Sequence, residues 1–293
     1  MNSLLSIASI GAIPIAKWVN AFFAWLTGFA GFFNAITLFL NTVMNGIQWV
    51  FDIIPIWLFI VIILLGTWFL FRKTKHWGFM LFELLGFLLI WNQGYWREMT
   101  QTLDLVLTTC LLIIIIGVPL GTWMAKSKIV QTIVSPIMSF LQTMPAFVYL
   151  IPAVALFGIG QVPGVFASVI FSIPPIVNMT NLGIRQVPSE YLEVSESFGC
   201  TAWQKLFKVQ FPLAKPTVMS GINQGIMLAL SMVVIASMIG TMGLGEAVYF
   251  AVGRNDVGTG FAAGIAIVIL AIVLDKISKG LGGANKTDAG SNE

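Results

Sequence analysis

At 293 residues, 58% hydrophobic and only 9% charged, the chain has too little polar surface to face water, so lipid must solvate most of it. A formal net charge of +3 is too small to suggest nucleic acid. Two cysteines and one histidine make neither a disulfide framework nor a metal site. The composition predicts an all-α, polytopic transmembrane helical bundle.

In chain order, the apolar start from Met1 to Ile15 has Lys17 after it and no basic residue before it. A secretory signal needs the reverse order, so this segment is expected to be retained. Residues 1–52 are predicted to form an N-terminal amphipathic region. Within it Asn20, Thr27, Asn34, Asn41 and Gln48 recur every seven residues, a narrow polar stripe that suits helices lying in the outer membrane interface. A span at 21–40, which lacks charge, is the competing reading.

Residues 53–280 are predicted to be a membrane domain with spans near 53–71, 77–94, 103–124, 132–157, 163–182, 217–240 and 258–275. Each approaches the roughly 20 residues that a straight helix needs to cross the hydrocarbon core, and the fourth is long enough to tilt or break. Alternate loops divide the basic residues unevenly. One side holds Arg72, Lys73, Lys75, Lys126, Lys128, Arg185, Lys205, Lys208, Lys215, Lys276, Lys279 and Lys286; the other holds Lys17, Arg97 and Arg254. Cytoplasmic loops carry the excess, so the polar segment 185–215 and the C-terminus are predicted to be cytoplasmic.

Trp68 and Trp77 flank one basic loop, and Trp91, Tyr95 and Trp96 mark the opposite boundary, as in an aromatic belt. Prolines crowd from Pro119 to the pair Pro174-Pro175, and spans tolerate such kinks. Gly221, Gly225, Ala229, Val233 and Ser237 follow at four-residue spacing, a small-residue seam within the subunit or against a second copy. Glu83 and Asp104 are the acids nearest the apolar zone and are expected to snorkel or cap at an interface. His76 falls in a basic loop and reads as solvated. Cys110 and Cys200 sit at different depths. Residues 281–293 are Gly-, Asn- and Ser-rich and are expected to be a disordered cytoplasmic tail.

The polar segment holds most of the functional information. Pro188 and Ser189 can open a short helix with Glu190 and Glu193 early in it. Gly199 ends that helix in a left-handed cap. Thr201 and Gln204 form a capping box for a second helix, with Trp203, Leu206, Phe207 and Gln210 on one face, and Pro212 is expected to stop it. The product is a two-helix elbow with an available apolar face.

Glu193-Val194-Ser195, three residues, Gly199, nine residues, then Val209-x-Phe211-Pro212 resembles the EAA loop of ABC-importer permeases. Val194 and Ser195 replace two alanines, Val209 an isoleucine and Phe211 a leucine. Gln142-Thr143-Met144-Pro145, Tyr149-Leu150-Ile151-Pro152, Phe157-Gly158-Ile159-Gly160, Ser172-Ile173-Pro174-Pro175, Asn181 to Arg185 and Met227 to Ile239 are similar to the glycine betaine/proline-betaine uptake permeases, over roughly 55–278.

The resemblance implies a type I importer fold and a coupling role for Tyr191, Glu193, Val194, Ser195, Phe198, Gly199 and Cys200 at a cytoplasmic ATPase. It implies an extracellular substrate-binding protein, a second permease copy, and ATP and Mg held by the partner ATPase. This chain lacks G-x-x-x-x-G-K-[ST], so it is expected to bind no cofactor and catalyse nothing itself. Thr143, Asn178, Asn181, Asn223, Gln224, Ser231 and Ser237 are candidate path-lining groups, and hydrogen bonding between helices explains each equally well. Two alternatives stand beside an osmoprotectant permease: an importer permease for amino acids or choline, and an ion-gradient-driven secondary transporter.

Overall fold

The computed structural model describes residues 14–71 and 77–282, and every regular element among them is a helix. The predicted N-terminal start to residue 13, the basic loop with His76 and the tail from residue 283 lie outside the described residues. The helices are α1 (Ile15–Thr27), α2 (Ala30–Ile53), α3 (Ile56–Leu70), α4 (Trp77–Asn92), α5 (Trp96–Lys126), α6 (Lys128–Thr143), α7 (Leu150–Phe157), α8 (Gln161–Arg185), α9 (Ser189–Ser197), α10 (Ala202–Lys205), α11 (Phe211–Ser237), α12 (Leu244–Gly253) and α13 (Val257–Gly282).

Three helices make the centre. α5, α8 and α11 press together where side chains are smallest, and glycine is needed there for space. A Cβ on Gly121 would lie 2.6 Å from the Val177 carbonyl oxygen, and one on Gly221 would lie 2.6 Å from Met179 Cβ. Gly221, Gly225, Ala229, Val233 and Ser237 are all buried. The four-residue seam therefore lies within the subunit, against α8.

Prolines set the breaks. Ile54 is extended before Pro55, because the proline ring disfavours a helical residue ahead of it. That separates α2 from α3. The predicted spans at 53–71 and 77–94 become helices of 15 and 16 residues, short of the roughly 20 a straight crossing needs. Met144 is extended before Pro145 in the same way. There α6 and the segment Ala146–Phe157 meet at 112°, and the Tyr149 hydroxyl donates to the Leu141 carbonyl across the bend. By length and composition α2, α5, α8, the α10–α11 rod and α13 can each cross a membrane, with the bent pair as a sixth if counted as one span.

α5 and α8 run parallel, since Arg185 Nη2 at the end of α8 donates to the carbonyl of Met124 at the end of α5, 3.1 Å away. Their first turns therefore share the opposite end of the bundle. α2 meets that end twice. Phe33 stands edge-on to Phe157 with centroids 5.6 Å apart, and Gln48 Nε2 donates to Thr100 Oγ1 at 3.4 Å.

Three expectations need correction, and one helix was not foreseen. Glu83 and Asp104 do not reach an interface: Glu83 is fully buried and accepts from Thr67 Oγ1 at 2.8 Å, and Asp104 is buried and accepts from Thr108 Oγ1 at 3.3 Å. Glu83 lies on α4 and bonds to Thr67 of α3, and Asp104 lies in the buried first half of α5, so neither short side chain reaches a surface. α12, unforeseen, follows a turn at Gly243 (φ 125°) and hangs from α5 by the Leu244 N–H to Thr102 Oγ1 bond of 2.9 Å. Asp256 then caps α13, where the Thr259 hydroxyl and amide hold its carboxyl below the usual carboxylate range. Finally, α13 continues to Gly282, past the expected start of the tail.

Gly121→Ala is expected to destabilise the bundle by about 1–3 kcal/mol through overpacking against backbone. Gly264→Ala, with open space around its Cβ, should leave stability unchanged. Thermal unfolding of the detergent-solubilised variants, side by side, checks the pair.

Candidate functional site

The elbow between α8 and α11 is built by three local devices. Gly199 takes φ +70°, its N–H donates to Glu196 O at 2.8 Å, and the next amide, Cys200 N–H, reaches Ser195 O at 3.0 Å. This closes α9 as a left-handed glycine cap closes a helix. No atom lies within 4 Å of a Cβ built there, so the backbone angle, not bulk, requires glycine. Thr201 and Gln204 complete the capping box: Thr201 N–H donates to Gln204 Oε1 at 2.8 Å, and Gln204 N–H to Thr201 Oγ1 at 3.3 Å. The Lys205 ammonium then pairs with Glu196, tying the second helix to the first.

Pro212 does not stop the second helix. Residues Leu206–Gln210 form a π-turn that runs straight into α11, with Pro212 in its first turn. Proline inside a regular helix loses a hydrogen bond and collides with the carbonyl four residues back. The wider π-turn just upstream relaxes that register and keeps one continuous rod. The turn also sorts the predicted apolar face. Leu206 is buried with Ile184, Ala214 and Val218, while Trp203 and Phe207 are exposed. Trp203 stacks on Phe207 at 5.4 Å, and Phe207 on Phe211 at 5.5 Å. Their four-residue spacing was the signal for this ladder.

Of the predicted coupling residues, Tyr191, Glu193, Val194, Phe198 and Gly199 are exposed, and Cys200 is half-buried. Phe198 is 83% exposed, the most exposed of the large apolar side chains on the elbow. Ser195 is the exception. It is buried, and its Oγ donates to the Leu192 carbonyl at 2.7 Å, so it anchors the elbow from inside and offers no side chain to a partner.

The candidate path residues do not converge. Asn181 Oδ1 accepts from Arg185 Nε at 3.0 Å, which makes it part of the tie between α8 and α5. Ser237 is buried in the seam and donates to Val234 O at 2.6 Å. Asn178 and Asn223 are half-buried, and Thr143 is exposed at the end of α6. Gln224 and Ser231 stand exposed on the face of α11 opposite the seam, polar groups that lipid would not favour there.

Residues 117–283 match the family model described as "Binding-protein-dependent transport system inner membrane component". The chain is 63% identical over 271 residues to the glycine betaine/carnitine transport permease protein GbuB of Listeria monocytogenes, covering 92% of this chain and 96% of that one. It is 51% identical over 270 residues to the glycine betaine transport system permease protein OpuAB of Bacillus subtilis, covering 92% and 94%. Among solved structures, the inward-facing MetNI methionine ABC transporter aligns at TM-score 0.57 and 20% identity, over 63% of this chain and 92% of that chain. That likeness concerns the fold.

Proposed function

The chain belongs to the binding-protein-dependent transport system inner membrane component family, and from that premise we propose that it is the permease subunit of an ATP-driven importer for glycine betaine or a related quaternary ammonium osmoprotectant. The observation that carries the mechanism is the elbow. It is a rigid, capped handle whose exposed apolar residues are held on buried anchors.

In this reading the elbow lies in the cytoplasm and seats in a groove of a separate ATPase, which holds ATP and Mg. Phe198, Tyr191 and Val194 supply apolar contact, and Glu193 a charge at the rim. Closure of two ATPase subunits around ATP draws the elbows of two permease copies together. The handle moves as a body because Ser195 and Leu206 are packed beneath it and Lys205–Glu196 spans its two helices. α8 and α11 carry that motion into the membrane, as packed elements that shift together. The polar face of α11 with Gln224 and Ser231 looks toward the second copy and the solute path.

A separate extracellular binding protein delivers the solute at the opposite end. There α2 lies across the outer surface. Phe33 and Gln48 are 15 positions apart, about 22 Å of helix, and both contacts are with the same end of the bundle. The relatives named for glycine betaine, proline betaine and carnitine favour a quaternary ammonium cargo over an amino acid.

Gly199→Val should separate ATP hydrolysis from uptake. A β-branched residue at φ +70° is strongly disfavoured, whereas Gly199→Asn tolerates that angle and should keep most of the coupling. The measurement is glycine betaine imported per ATP hydrolysed in proteoliposomes holding the complete importer; uptake at the parental ratio in the valine variant counts against the elbow's role. Phe198→Asp should lose the ATPase on co-purification without lowering the permease's own melting temperature. Retention of the ATPase by that variant would place the grip elsewhere.

A further inference from the structure

A cavity of about 520 Å³ opens at the junction of α2, α3 and the first turn of α5, lined by Asp52, Arg97, Trp96, Phe51 and Thr100 among others. It falls within the usual size of small-ligand sites, roughly 300–1,000 Å³. The other described cavities, on the α5–elbow side and between α4 and α13, are lined almost wholly by apolar side chains. This one presents a carboxylate and a guanidinium. Among the described residues the ion pairs are Lys205–Glu196 and Lys279–Asp275, so Asp52 and Arg97 share a cavity without pairing to each other.

The site has a fixed frame. Gln48 Nε2 donates to Asp52 Oδ1 at 3.0 Å and to Thr100 Oγ1 at 3.4 Å, which ties the end of α2 to α5 and holds the acid in place. Behind the opening, Phe59 is edge-on to Phe51 at 5.9 Å and to Trp96 at 5.3 Å. Two aromatic rings of the lining are thus braced by one buried ring.

We propose that this cavity is an accessory site for a small zwitterion that carries a quaternary ammonium group a few atoms from an anionic oxygen. A carboxylate beside aromatic rings attracts an alkylammonium that has no N–H to donate. A guanidinium takes a carboxylate or phosphate oxygen through paired N–H donors. A simple cation gains from Asp52 and is repelled by Arg97, and a simple anion meets the reverse. Only a ligand with both charges satisfies both walls. A free betaine and the headgroup of phosphatidylcholine share this chemistry. The inference rests on the proposed function for its choice of solute, and on the proposed orientation for placing the cavity at the outer mouth. There it would hold solute next to the pathway.

The test uses the permease–ATPase complex without its binding protein, in nanodiscs of phosphatidylglycerol, with equilibrium binding of radiolabelled glycine betaine. Choline, which lacks the carboxylate, and 3,3-dimethylbutanoate, which lacks the cation, serve as competitors. The expected result is saturable binding that either competitor displaces poorly. Asp52→Asn and Arg97→Gln should each weaken it by about tenfold, the loss of one charge-assisted contact, and Arg97→Lys should restore part. Arg97→Gln should also stop favouring betaine over choline, and Asp52→Asn should stop favouring it over dimethylbutanoate. Parental melting temperatures in the variants exclude a folding defect.

Replacing phosphatidylglycerol by phosphatidylcholine separates the two sources. A fall in betaine binding assigns the site to the lipid headgroup, an unchanged signal to the free solute, and both uphold the zwitterion chemistry. No saturable binding in phosphatidylglycerol, or binding indifferent to both substitutions, overturns the inference. ATP-driven uptake by the complete importer, measured in parallel, reports on the proposed function alone: uptake without binding at this cavity sinks only the site.

Discussion

The close approach of α8 to α5 and α11 is the constraint on which the other features depend. Apolar surface gains nothing by leaving lipid for protein, so helix association in a membrane rests on packing and on hydrogen bonds. Gly121 lies where any Cβ would meet the Val177 carbonyl, Gly221 where it would meet Met179, and Gly225 where it would meet Ile176 and Ile113. Backbone contact of this kind leaves few alternative registers. It fixes where α8 ends and where α11 begins, and therefore where the elbow between them stands. Arg185 fastens the end of α8 to α5, and Leu206 seats the returning rod against Ile184, Ala214 and Val218.

The elbow divides its residues by depth, and the division explains its composition. An apolar face of one sign of exposure would either collapse onto the bundle or hold nothing in place. Here Ser195 and Leu206 face inward, while Phe198, Trp203 and Phe207 face outward. Exposed rings of this size are unfavourable in water, and docking on the proposed ATPase would cover them. Its internal ties are short-range: a glycine cap, a capping box and one ion pair. They hold its shape from within.

Legibility followed the range of the interaction. The glycine cap, the capping box and the four-residue seam are set by residues a few positions apart, and the sequence displayed each of them. The break in the 132–157 segment was readable from Pro145 for the same reason. What stayed hidden depends on distant partners. The inward turn of Ser195, the tie between Asn181, Arg185 and Met124, and the hanging of α12 on Thr102 all need knowledge of which helices adjoin. The burial of Glu83 by Thr67 belongs with them. Pro212 misled for a subtler reason. Proline ends a regular α-helix, but a π-turn just upstream removes the conflict, and nothing in Leu206–Gln210 announces such a turn. Sequence periodicity alone left α2 between two placements, because a narrow polar stripe and an uncharged stretch coexist in it. The contacts at Phe33 and Gln48 show only that α2 meets the bundle near one end, and its length and composition also allow a span.

α5 joins the two ends of this arrangement. Its first turn supplies Trp96, Arg97 and Thr100 to the polar cavity, and its last turn supplies the Met124 carbonyl that holds Arg185 beside the elbow. In between, Gly117 and Gly121 press against α8 with no slack. A helix so confined cannot absorb a displacement at one end by bending locally, except at Pro119. Motion of the elbow that shifts α8 must therefore shift α5, or flex it at that proline. Coupling of this kind is reciprocal. If the nucleotide state of a bound motor changes the cavity's affinity for its ligand, occupancy of the cavity must bias the motor's grip by the same factor. In that case one helix would link the polar cavity to the elbow, without any residue that touches both.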